Sequence, residues 1–434
     1  MTAVEISPRV REVALWVTAV PAVVALLLAA GWFLPERPFV AVALGAVVLA
    51  IGLSLVEPAA LPLLAMPGML VVARADLGGV DLSFSDLILA VAFWPAVLLA
   101  PRPYSPPMRT LLWFSAAYQA STLFTVIANP ALANTVEWFH AWLLVAGALV
   151  VGWAVGRRGF ARAGLTLLLL TGGLLALVTI GQGVLQFAGG NFSPVYPSWP
   201  YGMHKNFVGT ALGFVAVIAY ARPVWLGWSK RWAMALFWAS VAGVILAQSR
   251  QALVGIGLGL LVIALRRDPH RRRSKLIVFA LVPAVLFVAS LIQEDIESGR
   301  HNSLAQRATF LADAWHVWLE NPWAGVGLRW WIGAETAQPP NAELEVLTSA
   351  GVVGLAGFLL LMLGGLIVLW RLDPTYGTLA FSILLVRLTQ AQFDLFWSAV
   401  QVSVPFVVAG ICLGAQQWAV ERERLESALV RAAT

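Results

Sequence analysis

Two arginines stand where their surroundings make arginine costly. Arg250 lies in Ala247-Gln248-Ser249-Arg250-Gln251-Ala252, between two apolar runs with almost no loop separating them. Arg307 lies in the stretch Ser303 to Glu320, which has helical periodicity. At about 100° per residue, its Leu304, Ala308, Leu311, Trp315 and Trp318 share one face. Gln306, Thr309, Asp313, His316 and Glu320 share the opposite face, and Arg307 falls inside the apolar stripe, between Leu311, Ala314 and Trp318. A guanidinium in such a setting is expensive unless it meets an anion, and its planar fork matches phosphate oxygens. The chemistry these residues point to is phosphate binding at the edge of an apolar phase. Two plainer accounts stay open: Arg307 snorkels, with its stem buried and its head in water, and Arg250 makes a structural ion pair.

The elements that would position them are membrane helices. Of 434 residues, 60% are hydrophobic and 12% charged, and the mean hydropathy is +0.82. A soluble domain averages about 45–50% apolar and about 25% charged residues, so lipid must be the solvent. Apolar segments run near 13–34, 38–56, 59–73, 84–100, 110–128, 133–156, 163–187, 206–221, 232–248, 251–265, 276–292, 346–370, 375–390 and 394–415. With roughly 20 apolar residues per span, and neighbours able to merge, the expectation is an all-α, polytopic transmembrane bundle of about 12–14 helices. Lipid-exposed backbone must satisfy its own hydrogen bonds, and continuous runs such as Leu165–Leu170 do not alternate as barrel strands would. The chain reads as one membrane domain over 1–434. Arg9 and Arg11 before the first segment resemble a signal peptide, but that segment is too long and reads as a first membrane helix. The one cysteine, Cys412, excludes a disulfide framework within the chain.

Charge placement sets the expected orientation. The net charge of +6 would suit nucleic acid, but the placement argues against that partner. Twenty of the 28 basic residues cluster at Arg9/Arg11, Arg102/Arg109, Arg157/Arg158/Arg162, Arg222/Lys230/Arg231, Arg266 to Lys275, Arg371 and Arg422/Arg424/Arg431. A 14-segment parse puts all of these on one side, which the positive-inside rule makes the cytoplasm, with both termini there. The expected location is the cytoplasmic (inner) membrane, crossed many times.

Two sizeable loops then face outward. Residues 188–205 are rich in Pro, Gly and aromatics, and read either as an interfacial belt or as a rim for sugar or lipid. Residues 293–345 form the longest polar stretch, long enough to suggest a functional loop. The amphipathic helix of Ser303 to Glu320 lies within it, on the outer surface, and Asn321-Pro322 ends that helix.

Four stretches resemble the O-antigen ligase and O-antigen polymerase (Wzy-like) superfamily. They are His204-Lys205-Asn206-Phe-Val-Gly-Thr-Ala211, opening a helix; Gln248-Ser-Arg250-Gln-Ala252-Leu-Val-Gly255; Arg307 with Trp315 and Asn321-Pro322-Trp-Ala-Gly325-Val-Gly327; and Asn341-Ala-Glu343-Leu-Glu345 followed by Ala350-Gly351-Val-Val-Gly354. Phe-Ser-Asp-Leu at 84–87 also fits, and the likeness spans roughly 40–415. One departure is plain: Pro340 stands where the family has a histidine before its asparagine.

The resemblance implies a glycosyltransferase of surface polysaccharide assembly, and with no Asp-x-Asp pair and no His cluster on the outer face neither a metal nor another cofactor is expected. The donor would be a glycan on undecaprenyl diphosphate, transferred at the outer face to a hydroxyl on another lipid-linked glycan or on a surface carrier. Arg250 and Arg307 would stabilise charge on the departing diphosphate, and Glu343 or Glu345 would take the acceptor proton. His204, Lys205, Asn206, Arg329 and Asn341 would bind substrate. For the glutamates a solvated loop edge, or a helix-start charge at Glu345, stays open. The alternative function is a transporter or flippase of an anionic lipid-linked glycan, using the same arginines without chemistry.

Overall fold

The computed structural model describes residues 8–71, 73–76, 81–199, 201–266, 303–333, 339, 341–397 and 402–433. Their regular elements are helices apart from one small hairpin, and they fall into two units, Met1–Leu61 and Pro62–Thr434. In the first unit, α1 (Pro8–Phe33) and α2 (Pro38–Val56) pack on each other. Pro38 at the first position of α2 supplies the φ a helix start needs and loses no hydrogen bond there.

The second unit carries the remaining elements. The stretch 59–73, expected as a span, is instead a six-residue helix α3 (Ala60–Ala65) and a 3₁₀ turn (Pro67–Leu70). Pro58, Pro62 and Pro67 break it up. A hairpin of β1 (Arg74–Asp76) and β2 (Asp81–Ser83) leads into α4 (Phe84–Leu99). Ser83 caps α4, and its own N–H donates to the Asp86 carboxylate, which makes a full capping box. Next come α5 (Pro106–Ala128) and α6 (Leu132–Trp142). A π turn (Leu143–Gly147) joins α6 to α7 (Ala148–Arg157), so Leu132–Arg157 runs as one 26-residue candidate span. Then follow α8 (Ala161–Ala188), α9 (Lys205–Ala221), α10 (Lys230–Leu246) and α11 (Arg250–Leu265). The expected span at 276–292 lies outside the described residues.

The helix expected over Ser303 to Glu320 forms with those bounds as α12, followed by the short α13 (Trp330–Gly333). The last three are α14 (Ala342–Arg371), α15 (Pro374–Ala391) and α16 (Ser403–Ala433). The final helix therefore starts nine residues later than the apolar pattern at 394–415 suggested, and residues 392–397 are loop. Among the described residues six helices are long and apolar enough to cross a membrane, and α4, α9 and α11 are shorter apolar helices. The protein is a multi-pass membrane protein.

Close backbone approach holds the bundle. Gly152 and Gly156 of α7 face α16, where an added Cβ would lie 2.1 Å from the Val407 carbonyl oxygen and 2.2 Å from that of Ile411. Gly410 and Gly414 return the contact from α16. This is the small-residue spacing that lets helices touch through their backbones in lipid. Helix α9 is buried along most of its length between α8, α10, α11 and α15.

The bundle has two distinct ends. At one, Arg157 pairs with Glu421, Trp153 donates to the Pro101 carbonyl, Trp228 bonds Thr166, and Trp225 donates to the Thr375 carbonyl. Arg266 donates to the carbonyls of Trp370 and Leu372 at the same end. Arg157 and Arg266 make these contacts, and Arg102, Arg162, Arg222, Arg371 and Arg422 flank the same helix ends. The candidate site occupies the opposite end.

Candidate functional site

The site end is organised by the loop between α15 and α16. Its backbone is gripped from two sides. Arg387, 1% exposed, donates from Nη2 to the carbonyls of Leu395 at 3.0 Å and Phe396 at 2.6 Å, and its guanidinium lies 4.7 Å from the Phe396 ring centre. From the other side the buried Glu345 carboxylate accepts the N–H groups of Phe396 and Trp397. The Trp397 ring stacks on Tyr118, with centroids 5.2 Å apart and planes 9° apart. A buried cation on the carbonyls and a buried anion on the N–H groups of one peptide segment satisfy its polar groups and fix its place.

That fixed loop reaches three of the sequence motifs. Gln392 donates to Glu343 Oε1 at 2.7 Å. Asp394 Oδ2 accepts from Asn206 Nδ2 and from Gln251 Nε2, each at 3.2 Å. So the His204–Asn206 start of α9, the Ser249–Gln251 start of α11 and the Glu343–Glu345 start of α14 meet around residues 392–397. His204 caps α9, its Nδ1 accepting the Asn206 N–H, and it packs edge-on against Tyr196 of the aromatic loop. Lys205 is the first residue of α9. Asn341 caps α14 by accepting the Leu344 N–H at 3.0 Å.

The Ser-Arg turn has a local cause. Gln248 takes a left-handed conformation, φ 50°, which ends α10 and starts α11 within two residues. Ser249, fully buried, rests on Gly209 of α9, where a Cβ would lie 2.1 Å from Ser249 Oγ. Arg250 then occupies the first position of α11.

The glycine motifs resolve into one interlock. Helix α14 is broken at Gly351, φ 67°. The break exposes carbonyls that a continuous helix would use. Those of Thr348 and Ser349 accept N–H groups from Val326 and Gly327, while the Val352 and Val353 N–H groups donate to the carbonyls of Pro322 and Trp323. An added Cβ would lie 2.3 Å from the Ser349 backbone at Gly325 and 2.2 Å from the Trp323 oxygen at Gly351. The Pro-x-x-Gly-x-Gly turn after α12 and the Gly-x-x-Gly of α14 are thus two halves of one backbone joint.

Arg329 is held at this joint. Its Nη1 donates to Glu137 Oε1 at 2.7 Å, and its backbone N–H donates to Asn134. Glu137 also meets His140 at 3.2 Å, and the other ring nitrogen of His140 lies 3.2 Å from Asp86. A run of charged groups, Asp86–His140–Glu137–Arg329, therefore ties α4 and α6 to the turn after α12.

Glu343 and Glu345 differ in what their oxygens do. Both Glu345 oxygens face backbone N–H groups, whereas Glu343 Oε2 is buried with no hydrogen-bond partner among the described residues. The backbone places Arg307 on the face of α12 that carries the buried Ala314. Its side chain lies outside the described residues, as do Pro340 and residues 293–302 and 334–338.

Sequence reasoning missed Asp394, Glu137 and His140. Each offered one signal: an ionisable residue in an apolar helical stretch is a functional or structural anchor by default. Asp394 is the sole acidic residue between Asp373 and Glu421, yet it was absorbed into an expected span.

Residues 235–359 match the family model described as O-antigen ligase. The match is narrower than the resemblance read over 40–415. It takes in Arg250, Arg307, Arg329, Asn341, Glu343 and Glu345, and leaves His204, Lys205 and Asn206 outside. No curated protein matches the chain.

Proposed function

From the match of residues 235–359 to the O-antigen ligase family model, we propose that this protein transfers a lipid-linked glycan to a hydroxyl acceptor in surface polysaccharide assembly. The donor is a glycan on a polyprenyl diphosphate such as undecaprenyl diphosphate. The acceptor is another lipid-linked glycan or a surface carrier. The arginine-rich end faces the cytoplasm, as the positive-inside rule requires, and the site end faces outward with the polar stretch 293–345.

One observation carries the reading. Residues 392–397 join the starts of α9, α11 and α14, so motifs far apart in sequence share one end of the bundle. The acceptor oxygen attacks the anomeric carbon, and the bond from that carbon to the diphosphate oxygen breaks. Arg250 and Arg307 hold the charge that builds on the leaving diphosphate. No metal is required for this, because guanidinium groups supply the positive charge. Glu343 takes the acceptor proton through the oxygen that lacks a donor, in place of the family histidine replaced here by Pro340. His204 and Lys205, at the start of α9, bind the donor's head group.

The test is direct. Purified protein in proteoliposomes is given a glycan on polyprenyl diphosphate and an acceptor glycan. Release of free polyprenyl diphosphate together with an elongated product supports transfer. Movement of intact donor across the bilayer, with no release, overturns it in favour of a flippase.

A further inference from the structure

Asp394 takes no part in the proposed chemistry, yet it is the point where two of the motifs meet. Its Oδ2 accepts both the Asn206 carboxamide of α9 and the Gln251 carboxamide of α11, each at 3.2 Å. Its Oδ1 accepts the N–H of Leu395 at 2.9 Å. Two donors fill the lone pairs of Oδ2, which makes this carboxylate poorly suited to take a proton from a substrate. It is well suited to hold two helices in register. Asn206 and Gln251 both lie in the first turn of their helices, where the positive end of the macrodipole favours an anion. The anion itself does not drift, because Arg387 and Glu345 clamp the peptides that follow it.

Gln251 follows Arg250 directly, and Asn206 follows Lys205. Fixing one side chain of each first turn fixes the helix start, and with it the origin of the neighbouring cation. We propose that Asp394 is a positioning residue. By tying the first turns of α9 and α11 to the α15–α16 loop, it sets Arg250 and Lys205 at the spacing that a lipid diphosphate needs. The inference rests on the reading of Arg250 as a diphosphate ligand.

The experiment is a mutant cycle on the full-length protein in proteoliposomes, with a polyprenyl-diphosphate glycan as donor. Asp394→Asn keeps the shape but replaces one acceptor oxygen with a donor. The expected result is a fall in kcat/KM of about 10- to 100-fold, the scale set by ångström misplacement of a reacting group. It appears mainly as a raised donor KM, with the thermal midpoint in detergent little changed. The swap Asn206→Asp with Asp394→Asn reverses donor and acceptor and should recover part of the loss. It also keeps the inference testable if Asp394→Asn alone folds poorly. In an Arg250→Ala background, Asp394→Asn should lower transfer by a smaller factor, the remainder being what it does through Lys205. Equal losses in both backgrounds, or a loss that follows the thermal midpoint with donor KM unchanged, overturn the positioning role. Normal transfer by Arg250→Ala overturns the diphosphate reading and this inference together, whereas a defective Arg250→Ala beside a normal Asp394→Asn overturns this inference alone.

Discussion

Glu343 and Glu345 stand two residues apart at the start of α14 and hold the same loop in different ways. Glu345 spends both oxygens on the N–H groups of Phe396 and Trp397, while Glu343 takes Gln392 on one oxygen and leaves the other without a donor among the described residues. The first is built into the backbone; the second keeps an acceptor for a substrate proton. This asymmetry separates two carboxylates that look equivalent in sequence.

The first prediction follows from it. Glu343→Gln should lower transfer by about 10²- to 10⁴-fold, the usual worth of a general base, with the thermal midpoint nearly unchanged. Glu345→Gln should act through stability instead. A carboxamide can accept only through its oxygen, and its NH₂ would face a backbone N–H. The loop loosens, the midpoint falls, and activity falls with it. Thermal unfolding in detergent beside proteoliposome transfer rates checks both, and matching profiles for the two variants would refute the division of labour.

Arg250 and Arg307 carry a second prediction. Each Arg→Ala change should cut transfer by about 10²- to 10³-fold, as loss of one charge-stabilising donor does, with membrane insertion intact. Arg→Lys should recover little, since a point charge does not reproduce a bidentate fork. Normal transfer by both Ala variants, measured on protein shown to be inserted, would remove the diphosphate site.

The glycine joint gives a third. Gly325→Ala and Gly351→Ala each force an L-residue to a positive φ, at 72° and 67°, which costs about 1–3 kcal/mol before any contact is considered, Gly351 with ψ −172° lying in a region that glycine almost alone adopts. The added Cβ also meets backbone on the facing half of the joint, and backbone cannot swing aside as a side chain can. Both variants should lose more stability than Gly183→Ala, whose Cβ meets only the flexible end of the Leu246 side chain, at 3.0 Å. Folded yield and thermal midpoint are the measurements.

What the sequence made legible was local. The bounds of α12, Ser303–Glu320, follow from an apolar stripe closed by Asn321-Pro322, because helix periodicity and a proline stop act over a few residues. The motifs at Arg250, Asn206 and Glu343 were visible as short patterns too. Their partners were not. The pairing of 322–327 with 348–353 depends on a helix breaking at Gly351, and nothing near Gly351 announces which segment will bond the freed carbonyls. Asp394 was hidden because Leu395, Phe396 and Trp397 make its surroundings look like membrane, although their backbone is held by Glu345 and Arg387. Pro58, Pro62 and Pro67 were overruled by apolar composition, and the stretch they interrupt did not become a span.

The last prediction concerns Arg329, which the sequence placed among substrate-binding residues. Its bond to Glu137 spans 2.7 Å with the two side chains only 19% and 14% exposed. Removing one partner leaves the other charge in a poorly hydrated place. Breaking a buried pair in this way costs roughly 3–5 kcal/mol, and the partial exposure here puts the expectation near or below the lower figure. Glu137 also faces His140, so Glu137→Gln disturbs Asp86 through the ring as well and should be the more damaging change. If Arg329 serves the joint, Arg329→Gln and Glu137→Gln both lower the thermal midpoint, their double variant loses less than the sum of the two, and donor KM in the folded fraction stays near wild type. A raised donor KM in Arg329→Gln alone, with an unchanged midpoint, would instead put its guanidinium on the substrate.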